Sequence, residues 1–226
     1  MDLIDRAIER WGPDRVCATL APMMTAERIA RIDAVLAIRL ASVATIVEDT
    51  YDPHNAAATI RTTEALGLQE LHVIEPKGRF STATGITRGA HRWIDLVRSP
   101  DARTAIGKLQ ARGFGVYATL PDAAHSIEDL DPARPIAIAF GNEHAGLSAD
   151  AIAACDGSVR VPMFGFTESF NLSVTVALAM SQVAARRRTA LGGGGDLEPA
   201  RKAHLRARWF ALGIRAAHLI LERQLA

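Results

Sequence analysis

Cysteine is nearly absent from this 226-residue chain: Cys17 and Cys155 stand far apart and in no CxxC pair. Two isolated thiols exclude a disulfide scaffold and a cysteine-based metal centre, and they fit a reducing, cytoplasmic setting. Each reads as a small buried apolar side chain. The seven His show neither HExxH nor HxxxH spacing, so no metal is expected. Aromatic residues make up only 5% of the chain while 49% is hydrophobic, so the core must be built from Ala, Val, Ile and Leu. Long apolar runs are missing as well. Charged or polar residues break each run before it reaches membrane-spanning length, so no membrane partner is expected. The start, Met1-Asp-Leu-Ile-Asp-Arg, has acids where a signal peptide needs an apolar stretch, and a soluble cytoplasmic protein is expected. No Walker-type phosphate loop and no GxSxG nucleophile is present. The glycines at 192–195 follow a helical pattern rather than a strand, so they read as a linker and not as a dinucleotide fingerprint.

Lysine is scarce, and arginine supplies most of the 26 basic side chains. Arginine suits phosphate because its planar fork makes bidentate contacts, although solvated helix faces give the same composition. The charge is unevenly spread. Residues 1–40 are balanced, 41–179 are acidic, and 180–226 carry a net charge of +6.

Residues 1–40 read as a helical extension, broken at Gly12-Pro13 and Pro22, with Thr25 placed to cap a helix. From Ser42 the pattern changes. Short β-branched or apolar runs at 42–48, 71–74, 93–97, 114–119, 136–140 and 158–161 alternate with helical segments at 56–66, 102–112, 149–154 and 171–188. That alternation implies an α/β domain over 41–190, a mostly parallel sheet with helices on both faces. A flexible Gly-rich linker is expected over 191–196, then a basic amphipathic helix over 197–226.

Three polar constellations fall at strand ends, where open α/β sheets place ligands. The first is Asn55 with Arg61, which reads equally as an N-cap followed by a solvated Arg. The second runs from Phe140 to Ser148, with Gly141 and Gly146 flanking Asn142 and Glu143; it reads equally as a tight turn into a helix capped by Ser148. The third, Val161 to Val174, sets Thr167, Ser169, Asn171 and Ser173 around a helix start, and also reads as a rich capping sequence.

In this order and spacing, Asn55-Ala-Ala-Ala-Thr-Ile-Arg-Thr, Ile138-Ala-Phe-Gly-Asn-Glu-His-Ala-Gly-Leu-Ser and Val161-Pro-Met-Phe-Gly-Phe-Thr-Glu-Ser-Phe-Asn-Leu-Ser-Val resemble the three motifs of the SpoU/TrmH family of SPOUT methyltransferases. The resemblance covers roughly residues 25–190. Val47-Glu-Asp-Thr-Tyr-Asp-Pro-His-Asn and Gly89-Ala-His-Arg-Trp are similar to the branch that methylates guanosine 18 of tRNA, whereas Thr167-Glu168 departs from it. The resemblance implies a deep trefoil knot, a homodimer, and methylation of a tRNA ribose 2′-hydroxyl by S-adenosylmethionine, with S-adenosylhomocysteine as product. Another tRNA position, rRNA, or a non-catalytic cofactor-binding protein that binds RNA remain alternatives.

The same resemblance implies a catalytic group of Arg61, Asn55, Ser169, Asn171 and Glu143, with Asn55 orienting Arg61. It implies cofactor contacts from Ala118, Thr119, Leu120, Gly141, Asn142, Val161, Met163, Ser169 and Phe170. The basic residues Arg92, Arg186, Arg187, Arg188, Arg201, Lys202, Arg206 and Arg208 are expected to hold the RNA.

Overall fold

The computed structural model describes residues 3–75 and 87–225, which divide into two compact units. The larger runs from Leu40 to Gly193. It carries a seven-stranded sheet of β1 (Leu40–Glu48), β2 (Leu68–Ile74), β3 (Asp95–Ser99), β4 (Gly115–Thr119), β5 (His125–Ser126), β6 (Ile136–Phe140) and β7 (Gly157–Arg160). The order is β3-β2-β1-β6-β4-β7-β5, and the neighbours pair in parallel. The two-residue strand β5 had no sequence signal.

Alternation along the strands feeds two cores. Val43 and Val47 of β1 and Ile136, Ile138 and Phe140 of β6 pack on one face. That face is covered by α4 (Pro53–Ala65) and α7 (Leu172–Ala190), through Ala56, Ile60, Val176 and Met180. Ala44, Ile46, Ala137 and Ala139 face the other way, under α5 (Ala102–Gln110) and α6 (Ala149–Ala154). Small residues on this second face let the helices lie close, which compensates for the shortage of aromatics.

Local signals set most boundaries. Thr25, Asp101 and Ser148 each accept a hydrogen bond from the backbone three residues on, as N-caps do. One boundary differs from expectation. Asn55 does not cap α4: Asp52 does, accepting from His54 N–H at 2.8 Å, with Pro53 at the first helical position. The helix therefore begins three residues ahead of the 56–66 segment expected from the sequence.

The smaller unit joins residues 1–39 with 194–226, so the two terminal segments form one helical body. α1 (Leu3–Trp11), α2 (Pro13–Leu20) and α3 (Ala26–Ala37) pack with α8 (Pro199–Leu212), and α9 (Ala217–Leu225) packs with α1, α2 and α8. Ile8, Val16, Leu20, Leu36, Leu205, Trp209, Phe210 and Leu221 are buried. The tail is two helices, not the single one expected. The glycine run is not a free linker either. Gly195 N–H donates to Ala37 O, Asp196 N–H donates to Arg39 O, and a Cβ on Gly195 would lie 2.4 Å from the Arg39 carbonyl oxygen. Among the described residues, no helix is long and apolar enough to cross a membrane.

Candidate active site

Beyond the C-terminal ends of β6, β4 and β7, three adjacent strands, lies a cavity of about 280 Å³. Loops 119–121, 140–147 and 161–172 form its walls, the position that the parallel-sheet rule assigns to a ligand. Leu120, Phe140, Leu147, Val161 and Leu172 give it an apolar lining, and Thr119, Asn142 and Ser169 supply polar groups. Such a slot suits a flat organic ligand. Of the expected cofactor residues, Thr119, Leu120, Gly141, Asn142, Val161, Met163, Ser169 and Phe170 all line it. Ala118 does not: it is fully buried in the core beneath α5. Sequence reasoning gave no ligand contact to Pro121, Phe140, Gly146, Leu147, Leu172 or Thr175, which also line the cavity.

The middle loop is tightly built. Asn142 and Gly146 exchange backbone hydrogen bonds, and Asn142 Oδ1 accepts from the N–H groups of His144 and Ala145 at 2.9 and 2.7 Å. Gly141 is required by the loop itself. A Cβ there would sit 1.9 Å from the Gly146 carbonyl carbon and 2.0 Å from Leu147 N, so its glycine serves loop closure before any ligand approach. At the loop's far end, Ser148 donates through N–H and Oγ to both oxygens of the buried Glu48, at 2.8 and 2.7 Å.

Asn55 reaches the same loop from α4. Its carboxamide, 6% exposed, donates a 2.5 Å hydrogen bond to Glu143 Oε1, and Glu143 lines the cavity. Asn55 is thus bonded to Glu143 and not to Arg61. Arg61 is exposed on α4 and makes no hydrogen bond or ion pair among the described residues. Ser169 stands exposed at the cavity lip. Asn171 caps α7, its Oδ1 accepting from Ser173 N–H and Oγ at 2.9 and 2.7 Å, and does not line the cavity. The structure therefore gives Asn171 the capping role the sequence left open. Nearby, the Cys155 thiol is pushed up to about 12, first by burial and then by the Asp156 and Glu48 carboxylates. At neutral pH it is a thiol and supplies no nucleophile.

The expected RNA-binding arginines largely turn inward. Arg187 is 8% exposed and donates to Ser42 Oγ, Pro132 O and Ala133 O. Arg186 donates to the carbonyls of Ile127 and Leu130, and Arg188 to that of Leu66. These three bind turns of their own unit, which corrects their assignment as a phosphate-binding arm. In the smaller unit, Arg206 forks onto both oxygens of Asp33 and lies over the Phe210 ring, its guanidinium held above the ordinary range by the Asp33 hydrogen bond. Arg208 approaches Asp5 at 3.8 Å. The basic tail is thus partly neutralised by acids of the N-terminal helices. Arg92 is exposed, and Arg201 and Lys202 are half-buried. Gly85 and Ile86, ahead of the Gly89–Trp93 tract, lie outside the described residues.

Comparison with known proteins agrees with this geometry. A family model described as the SpoU rRNA methylase family matches residues 42–181. A tRNA (guanosine(18)-2′-O)-methyltransferase of Borreliella burgdorferi is 40% identical over 170 residues, covering 75% of this chain and 78% of that protein. The crystal structure of the A. aeolicus TrmH/SpoU tRNA modifying enzyme superposes with a TM-score of 0.74 at 24% identity, covering 83% of this chain and 97% of that one, a likeness of fold. An AdoMet-bound rRNA methyltransferase from Sinorhizobium meliloti superposes with a TM-score of 0.56 at 25% identity, over 66% of this chain and 56% of that one.

Proposed function

The chain belongs to the SpoU methylase family, and on that premise we propose that it transfers the methyl group of S-adenosylmethionine to the 2′-hydroxyl of guanosine 18 in tRNA. The observation that carries this reading is the cavity at the strand ends: two of the motif segments form its walls, and the first is tied to its rim through Asn55 and Glu143. The activity named for the Borreliella relative supports the tRNA position. The cofactor bound by the Sinorhizobium neighbour supports S-adenosylmethionine.

The residues present fit that cofactor. The apolar walls suit an adenine ring and the aliphatic part of the methionine chain, and the exposed Gly146, with open space where a Cβ would stand, leaves room beside them. When bound, S-adenosylmethionine supplies an already activated methyl group. The protein's share is to place the ribose hydroxyl in line and to favour the charge that develops on its oxygen. Arg61 suits the second task. Its guanidinium has no partner among the described residues, and a guanidinium stays protonated in proteins. Arg61 therefore stabilises the developing alkoxide or an adjacent phosphate rather than acting as a base, the hydroxyl proton passes to solvent water as the methyl group transfers, and the pH–rate profile is expected to show no titrating group between about 6 and 9. Ser169 shapes the substrate side of the lip.

The enzyme acts in the cytoplasm as a homodimer whose knot encloses the cofactor loops. Val174 and Leu178, one turn apart on α7, are 44% and 38% exposed, and Phe164, Phe166 and Phe170 of the preceding loop are exposed as well, which supports a second copy as partner. The exposed Arg92 and the half-buried Arg201 and Lys202 are read as contacts to the tRNA backbone.

The test is methyl transfer from labelled S-adenosylmethionine to an unmodified tRNA transcript. Wild type labels the RNA, and Arg61→Ala lowers the rate by roughly 100-fold while cofactor affinity stays within about twofold. Wild-type rates from Arg61→Ala would overturn the assignment.

A further inference from the structure

Just past β1 the chain makes a turn that the reaction described above leaves unused. Asp49 holds φ 50°, a left-handed conformation that costs a non-glycine residue free energy, and strain of this kind concentrates at functional turns. Next to it the Thr50 hydroxyl is buried without a hydrogen-bond partner among the described residues. Tyr51 follows, 43% exposed, and its hydroxyl donates to Asp49 Oδ2 at 2.7 Å, which fixes the ring. The ring faces His144 of the middle loop. Their centroids are 6.3 Å apart and their planes are inclined by 50°. His144 is exposed, and its backbone N–H is held by Asn142 Oδ1.

Two exposed rings on separate loops, Tyr51 held through its hydroxyl and His144 through its backbone N–H, thus form a wedge. Their tilt excludes a face-to-face stack and leaves a loose, inclined contact. A flat base between parallel rings needs about 7 Å, two stacking distances of ~3.4 Å, so admitting one requires the rings to turn through the 50° between them and to part slightly. The wedge also stands in the right place. Tyr51 lies four residues before Asn55, His144 directly follows Glu143, and Asn55 and Glu143 are bonded at the cavity rim. A ribose presented there carries its base with it. A nucleotide lifted out of an RNA stack loses its neighbours, and proteins replace them with aromatic side chains.

We propose that Tyr51 and His144 form a stacking clamp for the base of the nucleotide whose ribose is methylated. The inference rests on the reading of the protein as an RNA 2′-O-methyltransferase. Asp49 acts as a positioning residue, through the Tyr51 hydroxyl.

The test uses the full-length protein and an unmodified tRNA transcript, with 2-aminopurine replacing the target guanine for fluorescence. Stacking quenches 2-aminopurine. Wild type and Tyr51→Phe are expected to quench it on binding, and Tyr51→Ala and His144→Ala are not. In methyl transfer to the ordinary transcript, each alanine variant raises KM for tRNA roughly tenfold, with the loss larger in KM than in kcat. Tyr51→Phe, which keeps the ring but loses its hydrogen bond to Asp49, raises KM by less than the alanine variants, about two- to threefold. Unchanged affinity for S-adenosylmethionine in the alanine variants establishes that the pocket is folded. Wild-type methylation together with a wild-type KM and full quenching in both alanine variants would overturn the clamp and leave the reaction standing. A wild-type protein that methylates no RNA would instead overturn the reading beneath it.

Discussion

The Asn55 carboxamide, buried on α4, donates to Glu143 Oε1 at the rim of the cavity. Seven residues earlier, Glu48 at the end of β1 accepts two hydrogen bonds from Ser148. The β1–α4 connection therefore grips the 141–148 loop at both ends. Chemistry at one segment is coupled to the shape of the other through two short polar links.

Breaking the first link should loosen the rim. Asn55→Ala removes a charge-assisted hydrogen bond of about 1.5–3 kcal/mol, so a fall in kcat/KM of roughly 10- to 100-fold is expected. Glu143→Gln keeps an acceptor oxygen and should lose less than Glu143→Ala. Steady-state methyl transfer checks the order, and equal losses in the two Glu143 variants would contradict it.

Gly141 and Gly165 should respond oppositely to alanine. At Gly141 the added Cβ meets backbone at 1.9 Å, whereas at Gly165 nothing lies within 4 Å. Gly141→Ala should lower stability by about 3 kcal/mol, a drop in Tm of roughly 8 °C, and abolish cofactor binding. Gly165→Ala should leave Tm within about 2 °C. Thermal melts with and without S-adenosylmethionine read both.

The parallel α/β architecture was legible because the strands announce themselves locally: the 136–140 run is apolar on both faces and the structure makes it β6. Most of the cavity was legible too, since glycines and polar residues at strand ends mark loops that face a ligand. What stayed hidden depends on long-range partners. Arg187 looked like part of a basic arm, and only the return of the 132–133 turn makes it a buried donor. Arg206 looked free until Asp33 of α3 met it. Asn55 was read as a cap because Asp52-Pro53, the real helix start, also reads as a loop. The Tyr51–His144 pair spans 93 positions, and nothing local predicts that the two rings meet.

Arg187 is therefore expected to act on stability, not on RNA. Arg187→Ala removes the hydrogen bonds to Ser42 Oγ and to the Pro132 and Ala133 carbonyls and should lower stability by about 3 kcal/mol. The salt dependence of tRNA binding should keep its slope. A shallower slope with unchanged Tm would restore the phosphate-binding role.

Cys155 should resist alkylation. With its thiol held near 12, the folded protein at pH 8.5 reacts with iodoacetamide far more slowly than the unfolded chain, whose thiols titrate near 8.5. Because the folded value is raised, its contribution to stability is present below the unfolded value. It is lost as pH rises from about 8.5 toward 12. Mass spectrometry of the modified peptide checks the first point, and equal rates in both states would contradict it.

The most direct measurement is to locate the methyl group. Unmodified tRNA is incubated with the enzyme and labelled S-adenosylmethionine, then digested and mapped by mass spectrometry. The expected product is a single 2′-O-methylguanosine at position 18. A methyl group on a base, at another nucleotide, or absent altogether would contradict it.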